Sequence, residues 1–209
     1  MKKINKKEKV VDGSKEIQAA LTMETGVSFA DRTLYIFGGI DTSTAYKFFI
    51  PFQTLDKTGE WIRVVLNSPG GEETAGFALY DMIKNSNSPV LIDGYGSVFS
   101  IASMILQAGT ARRLSPECRF MVHSGSVGLS AEVETNTFVA LGEELKIIHS
   151  KYKDIIGSRS TKSKEEVSKL CDKESYLSAE DAVAWGFADG VIHTGQDIEV
   201  SVKKVKRRK

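Results

Sequence analysis

The chain has 209 residues, with 28 Lys and Arg against 27 Asp and Glu, a length that predicts one globular domain able to bury its own core. The longest apolar runs, around 48–52 and 100–106, fall far short of the ~20 residues of a membrane span, so an integral membrane protein is excluded. Cys118 and Cys171 are too few for a disulfide framework, and no apolar leader follows the basic start, so we expect a cytoplasmic location.

Basic residues crowd both ends of the chain. Five lysines lie at 2–9, and six Lys and Arg lie at 203–209. When these residues and Glu8 are left out, the rest of the chain has 17 Lys and Arg against 26 Asp and Glu, a net charge of about −9. Terminal runs of like charge are usually solvated, and less often they bind nucleic acid or an acidic partner. We therefore divide the chain into a polar, partly flexible segment at 1–30, a domain at 31–192 and a basic tail at 193–209.

The first half alternates strand and helix patterns. Runs rich in β-forming residues stop at Gly38-Gly39 and at 67–71, and helical repeats with polar or acidic first turns follow them. Pro51 is expected to kink or end the first of these helices. Such alternation favours a parallel sheet with right-handed crossovers, an α/β fold. The predicted strands are 32–37, 61–66 and 89–92, and the predicted helices are 41–55, 72–84 and 99–107.

The second half is more helical. After a strand at 119–122, a helix at about 133–156 carries one apolar stripe at spacings of three and four, which indicates that one face packs against a partner. Short helices at 163–170 and 178–185 follow, the first opened by the capping box of Ser163 and Glu166 and the second ended by Gly186. A last strand is predicted at 187–192. The apolar stripe of the helix at 133–156 comprises Phe138, Leu141, Leu145, Ile148, Tyr152 and Ile155.

Three local features are suited to acyl-transfer chemistry. Gly70-Gly71 follows a strand, where glycine lets backbone N–H groups point at an anion or oxyanion. Ser100 stands at the start of a helix after a glycine turn, a position that exposes a nucleophilic hydroxyl, although Ser97 and Ser103 are rivals. His123 closes a strand outside the apolar run and is placed to act as a base.

The remaining titratable residues are less distinctive. Asp172 and Glu174 occupy a loop where a carboxylate can orient an imidazole. His149 and His193 are interpreted more simply as surface residues. No His or Cys residues are paired at ligand spacing, so we predict no metal site, and no phosphate-binding or dinucleotide motif predicts a cofactor.

Five motifs in order resemble the ClpP family, the proteolytic subunits of ATP-dependent Clp proteases, and more closely its shorter phage and prophage relatives. They cover about 31–192, and they imply a ClpP/crotonase-type fold of stacked βαβ units with a protruding helical handle. The motifs are 66–71 (LNSPGG), 74–81 (TAGFALYD), 96–103 (GSVFSIAS), 120–123 (FMVH) and 176–182 (YLSAEDA).

The resemblance implies roles for particular residues. Ser100 matches the family nucleophile, His123 the general base, and the N–H groups of Gly71 and Ile101 the oxyanion hole. Counting back from the last motif puts the family aspartate on Glu174, whereas the nearby residue of the right type is Asp172, so the acid stays open between them. Phe99 and Ile101 flank the serine where the family usually has Ala or Met before it and Met after it.

The resemblance also implies a polypeptide substrate, no cofactor, and heptameric rings stacked as a tetradecamer through the handle helix. Residues 1–30 do not match the apolar loops through which ClpP rings dock an unfoldase, so dependence on a Clp ATPase stays open. Two alternatives to a serine endopeptidase remain: a crotonase-type acyl-CoA enzyme, and a catalytically degenerate scaffold whose basic tails bind nucleic acid or acidic partners.

Overall fold

The computed structural model describes residues 13–125 and 134–193, so both basic termini, whose alternative role is binding nucleic acid or an acidic partner, lie outside the described residues. No helix in that part of the chain is long and apolar enough to cross a membrane. The helices are α1 (Gly13–Thr25), α2 (Thr42–Asp56), α3 (Glu73–Lys84), α4 (Ile101–Leu106), α5 (Thr135–Gly157), α6 (Lys164–Cys171) and α7 (Ala179–Ala184). The strands are β1 (Val27–Ser28), β2 (Thr33–Phe37), β3 (Ile62–Ser68), β4 (Val90–Phe99), β5 (Ala111–Leu114), β6 (Arg119–Val122), β7 (Ser175–Leu177) and β8 (Gly190–Val191).

The strands form one mixed sheet in the order β1-β2-β3-β4-β5-β8. The pairs from β2 to β8 are parallel, as the alternating pattern predicted, whereas β1 runs antiparallel to β2. The long strand β4 pairs with β5 along its first half and with β6 along its second, and β7 then adds antiparallel to β6. The end of β4 therefore has β6 in place of β5 as its neighbour, while Val98 still pairs with Ser68 of β3.

The two faces of the sheet differ in chemistry. On β3, Ile62, Val64 and Leu66 are fully buried in a core cluster that includes Phe52 of α2 and Leu79 of α3. On the opposite face, the fully buried Asp93 carboxylate accepts hydrogen bonds of 2.7–2.8 Å from Arg63 and Arg113. Because both guanidiniums share this one carboxylate, the buried charge is paired rather than isolated.

The structure differs from the sequence-based predictions in several elements. Helix α2 continues through Pro51 to Asp56. Proline removes a single backbone N–H donor from the helix, and the same turn gains a hydrogen bond from the Thr54 hydroxyl to the Ile50 carbonyl at 3.0 Å. The segment at 1–30 includes α1 and β1, for which no elements were predicted. Strands β5 and β7 were also missed, and β8 covers only part of the strand predicted at 187–192.

Candidate active site

Ser100 occupies a sharp turn between β4 and α4. Its φ of 55° and ψ of −127° put a non-glycine residue in a strained backbone region, which typically costs about 1–3 kcal/mol and persists only when its surroundings fix it. Here the Ser100 N–H donates to the Met121 carbonyl at 2.9 Å, and the Ser100 carbonyl accepts from the Ser103 hydroxyl at 2.6 Å. The turn holds the Ser100 side chain where the strand meets the helix.

His123 follows β6 directly, and its Nε2 lies 2.7 Å from the Ser100 hydroxyl oxygen. The parallel pairing of Phe99 with Met121 brings the two strand ends together, so residues 23 positions apart in the chain meet at one site. A serine hydroxyl within hydrogen-bond reach of an imidazole is the geometry needed to transfer the serine proton.

The glycine pair lies against this turn. A β-carbon at Gly70 would stand 2.7 Å from the β-carbon of Ser100, so the close approach of the two segments requires glycine. Gly71 forms a bridge with Ile40, in which the Ile40 N–H donates to the Gly70 carbonyl at 2.9 Å and the Glu72 N–H donates to the Ile40 carbonyl at 2.7 Å. Neither of these two hydrogen bonds uses the N–H of Gly71.

Ile101 supplies a second N–H on the helix side of the serine. It is the first residue of α4, where an N–H has no acceptor within the helix. Its side chain is 3% exposed and packs so closely on α3 that a β-carbon at Gly76 would lie 2.0 Å from it. Close packing of α3 on α4 therefore fixes the position of this N–H next to Ser100.

The rival serines are engaged in structural hydrogen bonds. The Ser97 hydroxyl donates to the Asn67 side-chain oxygen at 3.1 Å. Ser103 is fully buried, and its hydroxyl lies 2.8 Å from that of Tyr152 on α5. Burial raises the pKa of the Tyr152 phenol, which therefore stays protonated. The contact ties α5 to the backbone of the serine turn.

The two candidate acids lie on either side of a short loop. Asp172 caps the C-terminus of α6 and forms an ion pair with Lys153 of α5, with its side chain 54% exposed. The Glu174 carboxylate accepts a hydrogen bond from the Tyr176 hydroxyl. Within the described ranges, no hydrogen bond joins either carboxylate to His123.

Strand pairing distinguishes the two acids. The antiparallel register sets Met121 opposite Tyr176 and Val122 opposite Ser175. Continued by one residue, this register sets His123 opposite Glu174, a separation at which cross-strand side chains interact. Asp172 lies beyond the strand and is held by Lys153.

The other histidines lie outside this cluster. His149, expected at the surface, has a buried Nε2 atom that lies 3.8 Å from a Glu73 carboxylate oxygen, and this atom has no hydrogen-bond partner among the described residues. His193 is exposed after β8. In the two described stretches, no group of three His, Cys, Asp or Glu side chains is arranged to hold a metal.

Comparison with known proteins identifies the family. A family model described as Clp protease matches residues 17–195. The chain belongs to the Clp protease family. A Clp protease proteolytic subunit 1 from Chlamydia muridarum is 31% identical over 146 residues, which are 69% of this chain and 76% of that protein. A proteolytic subunit 2 from Gluconobacter oxydans is 28% identical over 198 residues, 90% of this chain and 86% of that protein.

The fold agrees with the family assignment. ClpP1 from Listeria monocytogenes, solved as a point mutant, superposes with a TM-score of 0.73 at 25% identity over 84% of this chain and 97% of that one. The predicted α/β fold of the ClpP type and the predicted family are thus confirmed. The Clp match begins at residue 17, inside the segment that the sequence analysis separated from the domain. Closeness to phage and prophage relatives stays a prediction.

Proposed function

We propose that this chain is a serine endopeptidase that hydrolyses peptide bonds of unfolded or assembly-associated polypeptides inside an oligomeric chamber. The observation that carries the proposal is the 2.7 Å contact between the Ser100 hydroxyl and Nε2 of His123 on a strained strand-to-helix turn. Membership of the Clp protease family supports the same chemistry.

In the proposed reaction, His123 accepts the Ser100 proton while the Ser100 oxygen attacks the peptide carbonyl carbon. The tetrahedral oxyanion receives hydrogen bonds from the N–H groups of Gly71 and Ile101, and one such donor typically contributes about 2.7–4 kcal/mol of transition-state stabilisation. The imidazolium then returns the proton to the leaving amine as the C–N bond breaks. Water, deprotonated by His123, hydrolyses the acyl-enzyme and regenerates Ser100.

We assign Glu174 as the acid of this triad. The continued β6–β7 register supports Glu174 as the cross-strand neighbour of His123, whereas the Asp172 carboxylate is engaged by Lys153. A carboxylate beside the imidazole would hold its tautomer and stabilise the imidazolium formed in the reaction. In the described geometry the Glu174 carboxylate contacts Tyr176 instead, so catalysis requires it to turn toward His123.

The chamber is proposed from the surface of α5. Toward its C-terminus the predicted stripe packs into its own subunit, where Tyr152 is 7% exposed. Toward its N-terminus Phe138 and Val139 are more than half exposed, an apolar face suited to a second copy of the chain. We propose that this helix joins two heptameric rings into a tetradecamer. A cytoplasmic location is supported by the unpaired, buried cysteines Cys118 and Cys171.

Labelling with a fluorophosphonate tests the proposed function. The assembled wild-type protein should form a covalent adduct that peptide mapping assigns to Ser100, and Ser100→Ala and His123→Ala should abolish it. Ser97→Ala is the matched control, because it removes a nearby hydroxyl that is bonded to Asn67, and it should still be labelled. The absence of an adduct in assembled wild-type protein would favour the degenerate scaffold instead.

A further inference from the structure

Tyr176 links the candidate acid to the residue that precedes the nucleophile. Its hydroxyl donates a hydrogen bond to the Glu174 carboxylate, and its ring packs edge-to-face on Phe99, with centroids 5.5 Å apart and planes at 87°. Phe99 is the last residue of β4, immediately before Ser100. One aromatic side chain therefore contacts both sides of the candidate active site.

The strand register explains why these side chains meet. Phe99 pairs with Met121, and Met121 pairs with Tyr176, so all three lie on the same face of the β4-β6-β7 part of the sheet. Side chains two residues apart on a strand share a face, which puts Glu174 beside Tyr176. The same register sets Glu174 opposite His123. The Glu174 carboxylate thus has two neighbouring partners, the phenol of Tyr176 and the imidazole of His123.

We propose that Tyr176 is a positioning residue that holds the Glu174 carboxylate away from His123, with Phe99 holding the Tyr176 ring in place. The inference rests on the proposed role of Glu174 as the triad acid. The triad is complete only while the Tyr176–Glu174 contact is open. Tyr176 therefore reduces the fraction of molecules in which His123 has its acid partner.

Chemistry and exposure are both consistent with a contact that opens and closes. The hydrogen bond to Glu174 raises the pKa of the Tyr176 phenol, which therefore remains a protonated donor at neutral pH. Tyr176 is 47% exposed, so water can replace either partner and the bond is weaker than a buried one. The edge-to-face packing on Phe99 supports the Tyr176 ring in the orientation in which its hydroxyl reaches Glu174.

The ring signals of His123 are a direct readout, because a carboxylate that turns to an imidazole becomes its hydrogen-bond partner. The chain has three histidines, so ring signals of ¹³C-histidine-labelled full-length protein can be assigned with His123→Ala, His149→Ala and His193→Ala. Tyr176→Phe removes the hydroxyl and keeps the ring on Phe99. We expect this variant to shift the His123 ring signals and to leave those of His149 and His193 in place.

Two comparison variants isolate the cause of this shift. The double variant Tyr176→Phe/Glu174→Gln should not show the same shift of the His123 ring signals, since a neutral amide replaces the ionised carboxylate. Tyr46→Phe removes an exposed hydroxyl from α2 and should leave His123 unchanged. The other ionisable groups near the site are the same in all of these proteins. They are Glu73 on α3, His149 and Lys153 on α5, and Asp172 at the end of α6.

Peptide hydrolysis gives the second readout. Tyr176→Phe should raise kcat about threefold to tenfold with KM unchanged, because the released carboxylate acts on the chemical step. Unchanged His123 ring signals in Tyr176→Phe would overturn the proposal, as would the same shift of those signals in the double variant. Failure of the proposed function is distinguishable, since it appears as a missing Ser100 adduct whereas the His123 ring signals do not depend on turnover.

Discussion

A β-carbon added to Gly71 would lie 2.0 Å from the carbonyl oxygen of Ile40, far inside any real contact. The φ of Gly71, +153°, adds backbone strain for any other residue. The bridge with Ile40 thus holds the chain at the point where the Gly71 N–H is proposed to meet an oxyanion.

Gly71→Ala should therefore displace this segment and remove one oxyanion donor. Loss of one such donor costs about 10²–10³ in kcat, and we expect the rates of peptide hydrolysis and of Ser100 labelling to fall by at least that factor. Gly39→Ala is the matched control, since a β-carbon there meets nothing within 4 Å. Equal activity of the two variants would argue against Gly71 as part of the oxyanion hole.

The two candidate acids make opposite predictions for amide substitution. Glu174→Gln should lower kcat by at least 100-fold, because the amide cannot stabilise the imidazolium; the corresponding change in a Ser-His-Asp protease costs about 10⁴. Asp172→Asn removes only an exposed ion pair with Lys153 and should change kcat less than twofold. Steady-state hydrolysis of an unfolded polypeptide measures both. The reverse order of effects would assign the acid to Asp172.

Local signals in the sequence predicted the elements that bear the site. The run Asn67-Ser68-Pro69-Gly70-Gly71 spans the end of strand β3 and the turn after it, and His123 follows an apolar run. Turn-forming residues and the end of an apolar run were therefore enough to predict both positions. The start of α4 was misplaced by two residues, because the run at 99–107 gives no sign that β4 continues to Phe99. The left-handed conformation of Ser100 has no sequence signal, since it is fixed by bonds to Met121 and Ser103.

Long-range pairing accounts for the larger omissions. Strand β5 was missed because Arg112 and Arg113 resemble surface residues, yet Arg112 is only 2% exposed and pairs with Asp189, 77 residues away. Helix α1 was missed because its apolar residues, such as Ile17, are mostly exposed and form no buried stripe. The hydrogen bond between Tyr176 and Glu174 likewise depends on side-chain orientation, which composition and spacing do not encode.

The buried contact between Ser103 and Tyr152 should stabilise the serine turn. Tyr152→Phe leaves the Ser103 hydroxyl bonded to the Ser100 carbonyl, so we expect a loss of about 1 kcal/mol in unfolding free energy. Ser103→Ala removes the 2.8 Å partner of the buried phenol, whose contact with that carbonyl is longer at 3.4 Å, and it should cost more, about 1–3 kcal/mol. Thermal denaturation of the single and double variants measures the coupling. Strictly additive losses would mean that the two hydroxyls do not interact.

The two cysteines should be unreactive in the folded protein. Burial raises the pKa of both the Cys118 and the Cys171 thiols to about 12, and both side chains are at most 1% exposed. Because the thiolate is the reacting species, alkylation by iodoacetamide at pH 8 should be at least about a thousandfold slower than for an ordinary thiol. Mass spectrometry should find no adduct on the native chain and two adducts after denaturation in guanidinium. Rapid labelling of the native protein would contradict the burial of these side chains.

The same raised thiol pKa values predict a loss of stability in alkaline solution. Both thiols ionise near pH 9 in the unfolded chain and near pH 12 in the folded one, so the fold binds more protons between these values. Their contribution to stability is fully present below about pH 9 and is lost as the pH rises toward 12. The melting temperature should therefore fall more steeply from pH 9 to 11 in the wild-type protein than in Cys118→Ala/Cys171→Ala. Parallel curves would show that the thiols keep ordinary pKa values in the fold.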